Sequence, residues 1–377
     1  MNLIKLFLDA LLVTASLAIS LLAAEGIIRM TSLSGIYVAE TGNQYKFYEF
    51  DDRLGWKNSP GRFGQYTRDE FSYQININSH GMRYREVSPK KSPNITRVVV
   101  LGDSFTWGIG VADQERFTEM VEKKTDGKYE LLNFGVSGYG PIQYYLMIDE
   151  IIEDFHPEIV LIAFCLSNDF ADNIFWRRYN YYKPYLLENK KPNIVISGYP
   201  IPRSGELATG PLSDWLADHS RLYSLVRGKV KTTALQFADY GQAGINGADE
   251  NQMDIYFPKH STEASELADR MVALNAKLIR QIRDKAKRQN VQLAVVVAPT
   301  KCEYGACFQG ERARNMNARN YLLKTLKELD IPVIDKTDAI DSSDFWKTDG
   351  HWRPSGHEKI ADGIVDWLNG RKGSKAR

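Results

Sequence analysis

The chain has 377 residues, 43% of them apolar and 25% charged, with a net charge of +1. That length allows one large or two ordinary domains with a sizeable core. The near-neutral balance argues against nucleic acid as the main partner, which would call for a basic surface.

The amino terminus differs from the rest. Leu6 to Ala24 is an apolar run broken only by Asp9, Thr14, Ser16 and Ser20, with Lys5 before it and Arg29 after. Crossing a bilayer core takes about 20 residues as a helix, whereas the apolar part of a secretory signal is shorter, about 7–15. Residues 1–30 are therefore expected to form an uncleaved signal anchor, with a cleaved signal peptide second and a soluble core helix third. Lys5 is a cue for a cytoplasmic amino end, which puts the body of the protein on the extracytoplasmic side, periplasmic or extracellular. Residues 31–95 follow, rich in Gly, Pro, Asn and aromatic residues. Phe71–Asn78 alternates with period two, as a half-exposed strand does, and Ser79-His80-Gly81 reads as a turn. This segment is expected to be a β-rich extension, with Leu54-Gly55-Trp56 and Gly81-Met82-Arg83 as docking points.

From residue 96 strands and helices alternate up to about residue 370. Strands are expected at Arg97–Leu101, Glu130–Asn133, Ile159–Phe164, Gln292–Ala298 and Pro332–Ile334. Helices are expected at Arg116–Lys124, Ile142–Phe155, Thr262–Gln289, Arg312–Leu329 and Glu358–Leu368. Such alternation implies an α/β fold, a parallel five-stranded sheet covered by helices on both faces in three α/β/α layers. Residues 170–261 break the rhythm and begin with Phe170, Phe175, Trp176, Tyr179, Tyr181, Tyr182 and Tyr185. Long inserts in compact domains are usually functional or disordered, so this one is read as a cap over the site. The competing reading packs its aromatics against the sheet edge.

Four short blocks sit at strand ends or in the loops after them: Gly102-Asp103-Ser104, Asn133-Phe134-Gly135-Val136-Ser137-Gly138-Tyr139-Gly140, Ser167-Asn168-Asp169 and Asp349-Gly350-His351-Trp352. Alone, Asp103 and Ser104 fit a helix cap equally well. Together the blocks supply what ester chemistry on a serine requires. An imidazole must take the hydroxyl proton, a carboxylate must orient that imidazole, and preset donors must receive the oxyanion.

The arrangement resembles the SGNH/GDSL hydrolase superfamily, whose blocks centre on Ser, Gly, Asn and His. The resemblance spans roughly Arg97 to Trp367 and implies a flavodoxin-like sheet. By this likeness Ser104 is the nucleophile, His351 the base and Asp349 its orienting carboxylate. Ser104 N–H, Gly138 N–H and the Asn168 amide form the oxyanion hole, and Asp103 buttresses the turn. Two departures stand out. Leu166 replaces the usual glycine of the third block, and Asp349 and His351 are two apart rather than three. The closer spacing, followed by Trp352, is similar to SGNH-like proteins that O-acetylate exported polysaccharides. His357 is assigned to the last helix rather than to the chemistry.

Cys165, inside an apolar run, reads as a buried thiol. In an oxidising compartment Cys302 and Cys307 can close a small disulfide loop. No histidine stands near them to make a zinc site, and His80, His156, His219 and His260 match no metal-ligand spacing. The sequence reading is a membrane-anchored serine esterase that needs neither metal nor organic cofactor and acts on an acylated small molecule or glycan. The alternatives are an O-acetyltransferase of cell-envelope or exported polysaccharide, and a catalytically inactive glycan-binding protein of the same fold. Trp352 and the aromatic insert tilt the reading toward a sugar, since aromatic faces pack on sugar rings. Oligomeric state is not legible.

Overall fold

The computed structural model describes residues 3–30, 47–178, 181–187, 194–202, 216, 220, 222, 223, 226, 262–304 and 316–374. The chain divides into two compact units, Met1–Tyr45 with Thr67–Asp69 and Gly205–Ala243, and Lys46–Tyr66 with Glu70–Ser204 and Gly244–Arg377. The smaller unit contains helix α1 (Leu3–Met30). From Phe7 to Met30 it has a mean hydropathy of 2.1, long and apolar enough to cross a membrane. Most of its apolar side chains are exposed, Phe7, Leu12 and Leu22 among them, and Ile28 near its end is buried. A helix that is apolar all round and leaves most of that surface uncovered by protein has the character of a membrane span. At its far end the Glu25 carboxylate accepts hydrogen bonds from Ser220 Oγ at 2.9 Å and Leu222 N–H at 2.8 Å.

In the larger unit β1 (Tyr48–Asp51) pairs antiparallel with β2 (Gly55–Asn58), and β3 (Phe63–Arg68) joins β4 (Phe71–Asn76). The period-two pattern of β4 is realised: Phe71, Tyr73 and Ile75 are buried, and the residues between them are exposed. These side chains, with Phe47, Tyr66 and Ile77, build a small core that takes in Trp107 and Ile109 of the next segment. The extension is thus packed directly on the turn that carries Ser104.

The central sheet is parallel, made of β5 (Thr96–Gly102), β6 (Tyr129–Gly135), β7 (Ile159–Cys165), β12 (Gln292–Ala298) and β13 (Val333–Ile334). Its order is β13-β12-β7-β5-β6, which is the flavodoxin-like 2-1-3-4-5 in order of appearance. Strand order reverses between β5 and β7, and there the carboxyl ends of the strands leave a crevice. The expected strands lie within two residues of those observed. β5 to β7 and β12 are buried on both faces, as their apolar runs require, with Glu130 and Asn133 of β6 buried among them.

Short helix α2 (Ser104–Trp107) follows β5, then α3 (Phe117–Lys124), α4 (Pro141–Phe155), α5 (Asp169–Asp172), α6 (Thr262–Arg288), α7 (Met316–Glu328) and α8 (Pro354–Ser374). α3 packs with α8 and α4 with α6. Phe117 and Val121 of α3 and Ile360, Ile364 and Leu368 of α8 share a core with Val98, Val100, Leu161 and Val296. The last helix begins at Pro354, four residues earlier than expected, so His357 lies within its first turn.

Between α5 and α6 two hairpins are described, β8 (Arg177–Arg178) with β9 (Tyr181–Tyr182) and β10 (Tyr185–Leu187) with β11 (Val195–Ser197). Phe170 packs edge-on against Phe164 at 5.0 Å and Tyr181 against Trp56 at 5.6 Å, so these two aromatics of the insert are core. Most of the interval expected to form a cap, residues 203–215 and 227–261 above all, lies outside the described residues, as does the proposed Cys302–Cys307 pairing.

Candidate active site

Ser104 stands at the switch point, two residues beyond the end of β5 and buried to 6% exposure. The Asp103 carboxylate accepts a hydrogen bond from Phe105 N–H at 3.0 Å and caps α2, fixing the serine at the helix start. Gly102 makes the sharp turn possible, because a Cβ there would lie 2.0 Å from Thr106 Oγ1. At the other end of the chain a tight loop, closed by the Phe345–Trp352 bridge and by Trp346 N–H donating to His351 O at 3.2 Å, presents Asp349 and His351.

The structure brings Ser104, His351 and Asp349 into one hydrogen-bonded chain. Ser104 Oγ lies 2.7 Å from His351 Nε2, and His351 Nδ1 lies 2.5 Å from Asp349 Oδ1. An ionised carboxylate only accepts, so Nδ1 carries the ring proton and Nε2 is left to accept from the serine hydroxyl. Asp349 Oδ1 also accepts from His351 N–H at 2.9 Å, which sets the backbone as well as the ring. Phe105 packs against the imidazole, with ring centroids 4.9 Å apart.

Gly138 has φ +80, a left-handed conformation that favours glycine. Its loop is held on three sides. Val136 N–H donates to Gly102 O at 3.1 Å, Trp56 Nε1 donates to Ser137 O at 3.0 Å, and Tyr139 OH donates to Trp56 O. Both expected docking points therefore carry polar contacts to this centre, since Arg83 donates to Trp107 O, Gly108 O and Val111 O at 3.0, 2.7 and 2.8 Å. Asn58 ties the turns together: it accepts from Trp107 Nε1 at 3.1 Å and donates to Gly135 O at 3.2 Å.

Asn168 is buried among carboxylates. Its amide donates to Asp172 Oδ2 at 2.8 Å and lies 3.4 Å from Asp169 Oδ1, so one N–H is taken and the other is held only weakly. Asp172 is flanked by Arg178 at 3.4 Å and by Lys183, which also donates to its backbone oxygen. Burial pushes the Asp169 carboxyl well above its ordinary range, and repulsion from Asp103 and Asp172 adds to it. Burial likewise raises Asp103, against the opposing pull of Phe105 N–H, His351 and the Asn168 amide. Cys165 is a free, buried thiol whose Sγ lies 3.3 Å from Ser167 Oγ.

One reading of a side chain changes, that of Trp352, while His357 lies in the last helix as expected. Trp352, expected to offer its face to a sugar, is fully buried; its indole N–H donates to Pro299 O at 3.0 Å and its ring packs edge-on against Phe105 at 4.6 Å. An indole with no exposed face cannot stack on a ligand. His357 is also fully buried, accepting from Phe117 N–H at 3.3 Å, away from the Ser104 chain. Sequence reasoning missed Asn58, Asp172, Lys183 and Glu70. Only Asp172 carried a visible signal, its i+4 spacing from Asn168.

Residues 256–376 match the family model described as an SGNH hydrolase-like domain, acetyltransferase AlgX. Several solved structures are similar in outline. One is a lipase/acylhydrolase from Enterococcus faecalis, 14% identical over 74% of this chain and 97% of its own, with TM-score 0.40. A second is the psychrotrophic esterase EstA from a Pseudoalteromonas species, at 13%, 73%, 99% and 0.37. A third is a member of the lipolytic G-D-S-L family from Veillonella parvula, at 11%, 72%, 97% and 0.38. No curated protein matches the chain. The likeness to SGNH proteins stands on the family match and on the parallel sheet with its flanking helices.

Proposed function

We propose that the chain is a serine-dependent enzyme of acyl oxygen esters, working through a covalent acyl-enzyme. The observation that carries this reading is the unbroken chain from Ser104 Oγ through His351 to Asp349, at 2.7 and 2.5 Å. Ser104 Oγ attacks the ester carbonyl while His351 Nε2 takes its proton, and Asp349 stabilises the imidazolium. Ser104 N–H, Gly138 N–H and the remaining Asn168 N–H receive the oxyanion. Losing one such donor typically costs about 100- to 1000-fold in rate. His351 then passes the proton to the leaving alkoxide. Attack by water on the acyl-Ser104 ester, with His351 again as base, frees the acid and restores the serine.

The second reading differs in that last step alone: a glycan hydroxyl, rather than water, attacks the acyl-enzyme. The family match to an acetyltransferase-type domain favours it. In both readings α1 serves as the anchor, holding the larger unit on the extracytoplasmic face. Turnover of p-nitrophenyl acetate, with and without oligosaccharide acceptors, separates the two: free acetate alone marks a hydrolase, and acetylated sugar marks a transferase. Ser104→Ala and His351→Ala are each expected to abolish turnover, and Ser104→Ala to abolish labelling by a fluorophosphonate. An active Ser104→Ala variant refutes the acyl-enzyme, and wild-type protein that neither labels nor turns over ester is a binding protein instead.

A further inference from the structure

The loop that carries Asp349 and His351 has a partner far away in the chain. Glu70, just before β4, turns its carboxylate onto this loop. Oε1 accepts from Lys347 N–H at 2.9 Å, and Oε2 accepts from Thr348 N–H at 2.6 Å, Thr348 Oγ1 at 2.6 Å and Asp349 N–H at 3.3 Å. Three successive backbone N–H groups converging on one anion form a nest. The carbonyl side of the same loop is held by the opposite charge, because Lys301 Nζ donates to Trp346 O at 2.9 Å and Lys347 O at 2.8 Å. Next to Glu70, the Phe71 ring packs on Trp346 at 5.4 Å and fixes the approach.

We infer that Glu70 is a positioning residue for the Asp349–His351 pair, acting through the backbone of residues 347–349. The inference rests on the catalytic reading above. Glu70 touches no reacting atom. It sets the peptide planes from which the Asp349 side chain departs, and Asp349 in turn sets the ring of His351. A purely superficial glutamate would not gather four donors from one loop, three of them consecutive backbone groups. Burial acts to raise the Glu70 carboxyl, yet the hydrogen bonds from Thr348, Lys347 and Asp349 together hold it below the ordinary glutamate range. The anion is therefore the form the loop is built around.

Other charges bear on the same loop: Lys301 beneath it, the side chains of Lys347 and Asp349 on it, His351 at its end, and Arg353, whose guanidinium lies over the Trp346 ring at 5.3 Å. Removing the Glu70 carboxylate loosens the peptides that place Asp349, and with Asp349 the ring of His351, so the loss falls on kcat rather than on substrate binding.

The test uses full-length protein, p-nitrophenyl acetate, and a fluorophosphonate titration to count competent sites. Glu70→Ala is expected to lower kcat per titrated site about tenfold to a hundredfold, the order of loss that slight misplacement of a reacting group brings. KM should change little. Glu70→Gln keeps one acceptor oxygen for the Thr348 and Asp349 donors and should recover part of kcat. If Glu70→Ala keeps wild-type kcat per site and loses only thermal stability, the role is structural and the proposal falls. Equal impairment of Glu70→Gln and Glu70→Ala also overturns it, because the hydrogen bonds would then not be what matters. A Ser104→Ala control that remains active removes the catalytic reading itself, whereas an inactive control beside an unaffected Glu70→Ala removes only the role of Glu70.

Discussion

Arg83 is the side chain whose loss should be felt most widely. It has no exposed surface, and its guanidinium donates to Trp107 O, Gly108 O and Val111 O and to the Asp113 carboxylate. It also lies over the Tyr73 and Trp107 rings at 4.8 and 4.9 Å. In Arg83→Met the aliphatic bulk stays while every donor goes. Gly108 O keeps a long contact from Tyr73 OH at 3.4 Å, but Trp107 O and Val111 O are left buried without the donor they now have. An acceptor stranded in this way costs about 1–3 kcal/mol, and each cation–π contact adds about 0.5–2 kcal/mol. Asp113 is 40% exposed and regains water at small cost. Relief of the repulsion between Arg83 and the neighbouring buried Arg116 offsets part of the loss. The net is about 3–5 kcal/mol, a large share of the roughly 5–15 kcal/mol that holds an ordinary protein folded. Urea unfolding followed by tryptophan fluorescence reads it directly, since Trp107 is in the affected core. The midpoint should fall steeply and ester turnover with it. A loss below about 1 kcal/mol would mean that the carbonyls find other donors, and the account of Arg83 as the clamp on α2 would be wrong.

His357 predicts a pH effect on stability. Burial, then Arg116 and Arg83, push its imidazole from 6.5 down to about 3. Between those values the unfolded chain binds a proton that the folded chain refuses, so stability rises with pH across this window and falls on acidification. The slope from this one group is about 1.4 kcal/mol per pH unit. His357→Gln should remove that part of the slope while retaining kcat per folded molecule; an unchanged slope, measured by urea unfolding at several pH values, would count against it. For the anchor, full-length protein should sediment with membranes and resist high salt, while a chain beginning at Thr31 should stay in the aqueous phase. Release by salt, or a mature amino terminus near Ala24, would remove the anchor.

What was legible in the sequence follows from where each signal resides. The four long strands of the central sheet are buried on both faces, and three of them are carried by continuous apolar runs such as Val98–Leu101 or Val295–Val297, while β6 buries Glu130 and Asn133 among its apolar residues. The four short blocks stood out for a related reason: strand ends at a switch point are where the backbone stops being occupied by the sheet. The misread side chains are those whose partner is set by tertiary packing. Trp352 looks the same in sequence whether it faces a sugar or donates to Pro299 O. Phe170 and Tyr181 were indistinguishable from lid aromatics until Phe164 and Trp56 were seen beneath them. Asn168 had its partner in view at Asp172, but only the fold shows that both are buried and that Lys183 backs the pair.

The long-range clamps were beyond reach for a more basic reason. Glu70 and Lys347 are 277 positions apart, and the glutamate accepts mainly from backbone N–H groups, which nearly every residue type supplies. No residue type at 347–349 had to announce the contact, and no charge pattern along the chain encodes it. The same holds for Arg83, whose acceptors are three carbonyls besides the Asp113 carboxylate, and for Trp56, whose acceptor is one carbonyl. Residues that perform chemistry leave a signature because their side chains must be of one kind. Residues that hold the performers in place often do so through main-chain atoms and leave theirs on one side of the contact only. In this protein much of that holding side lies between Phe47 and Arg83, so the support of the candidate site begins well before the first strand of the sheet.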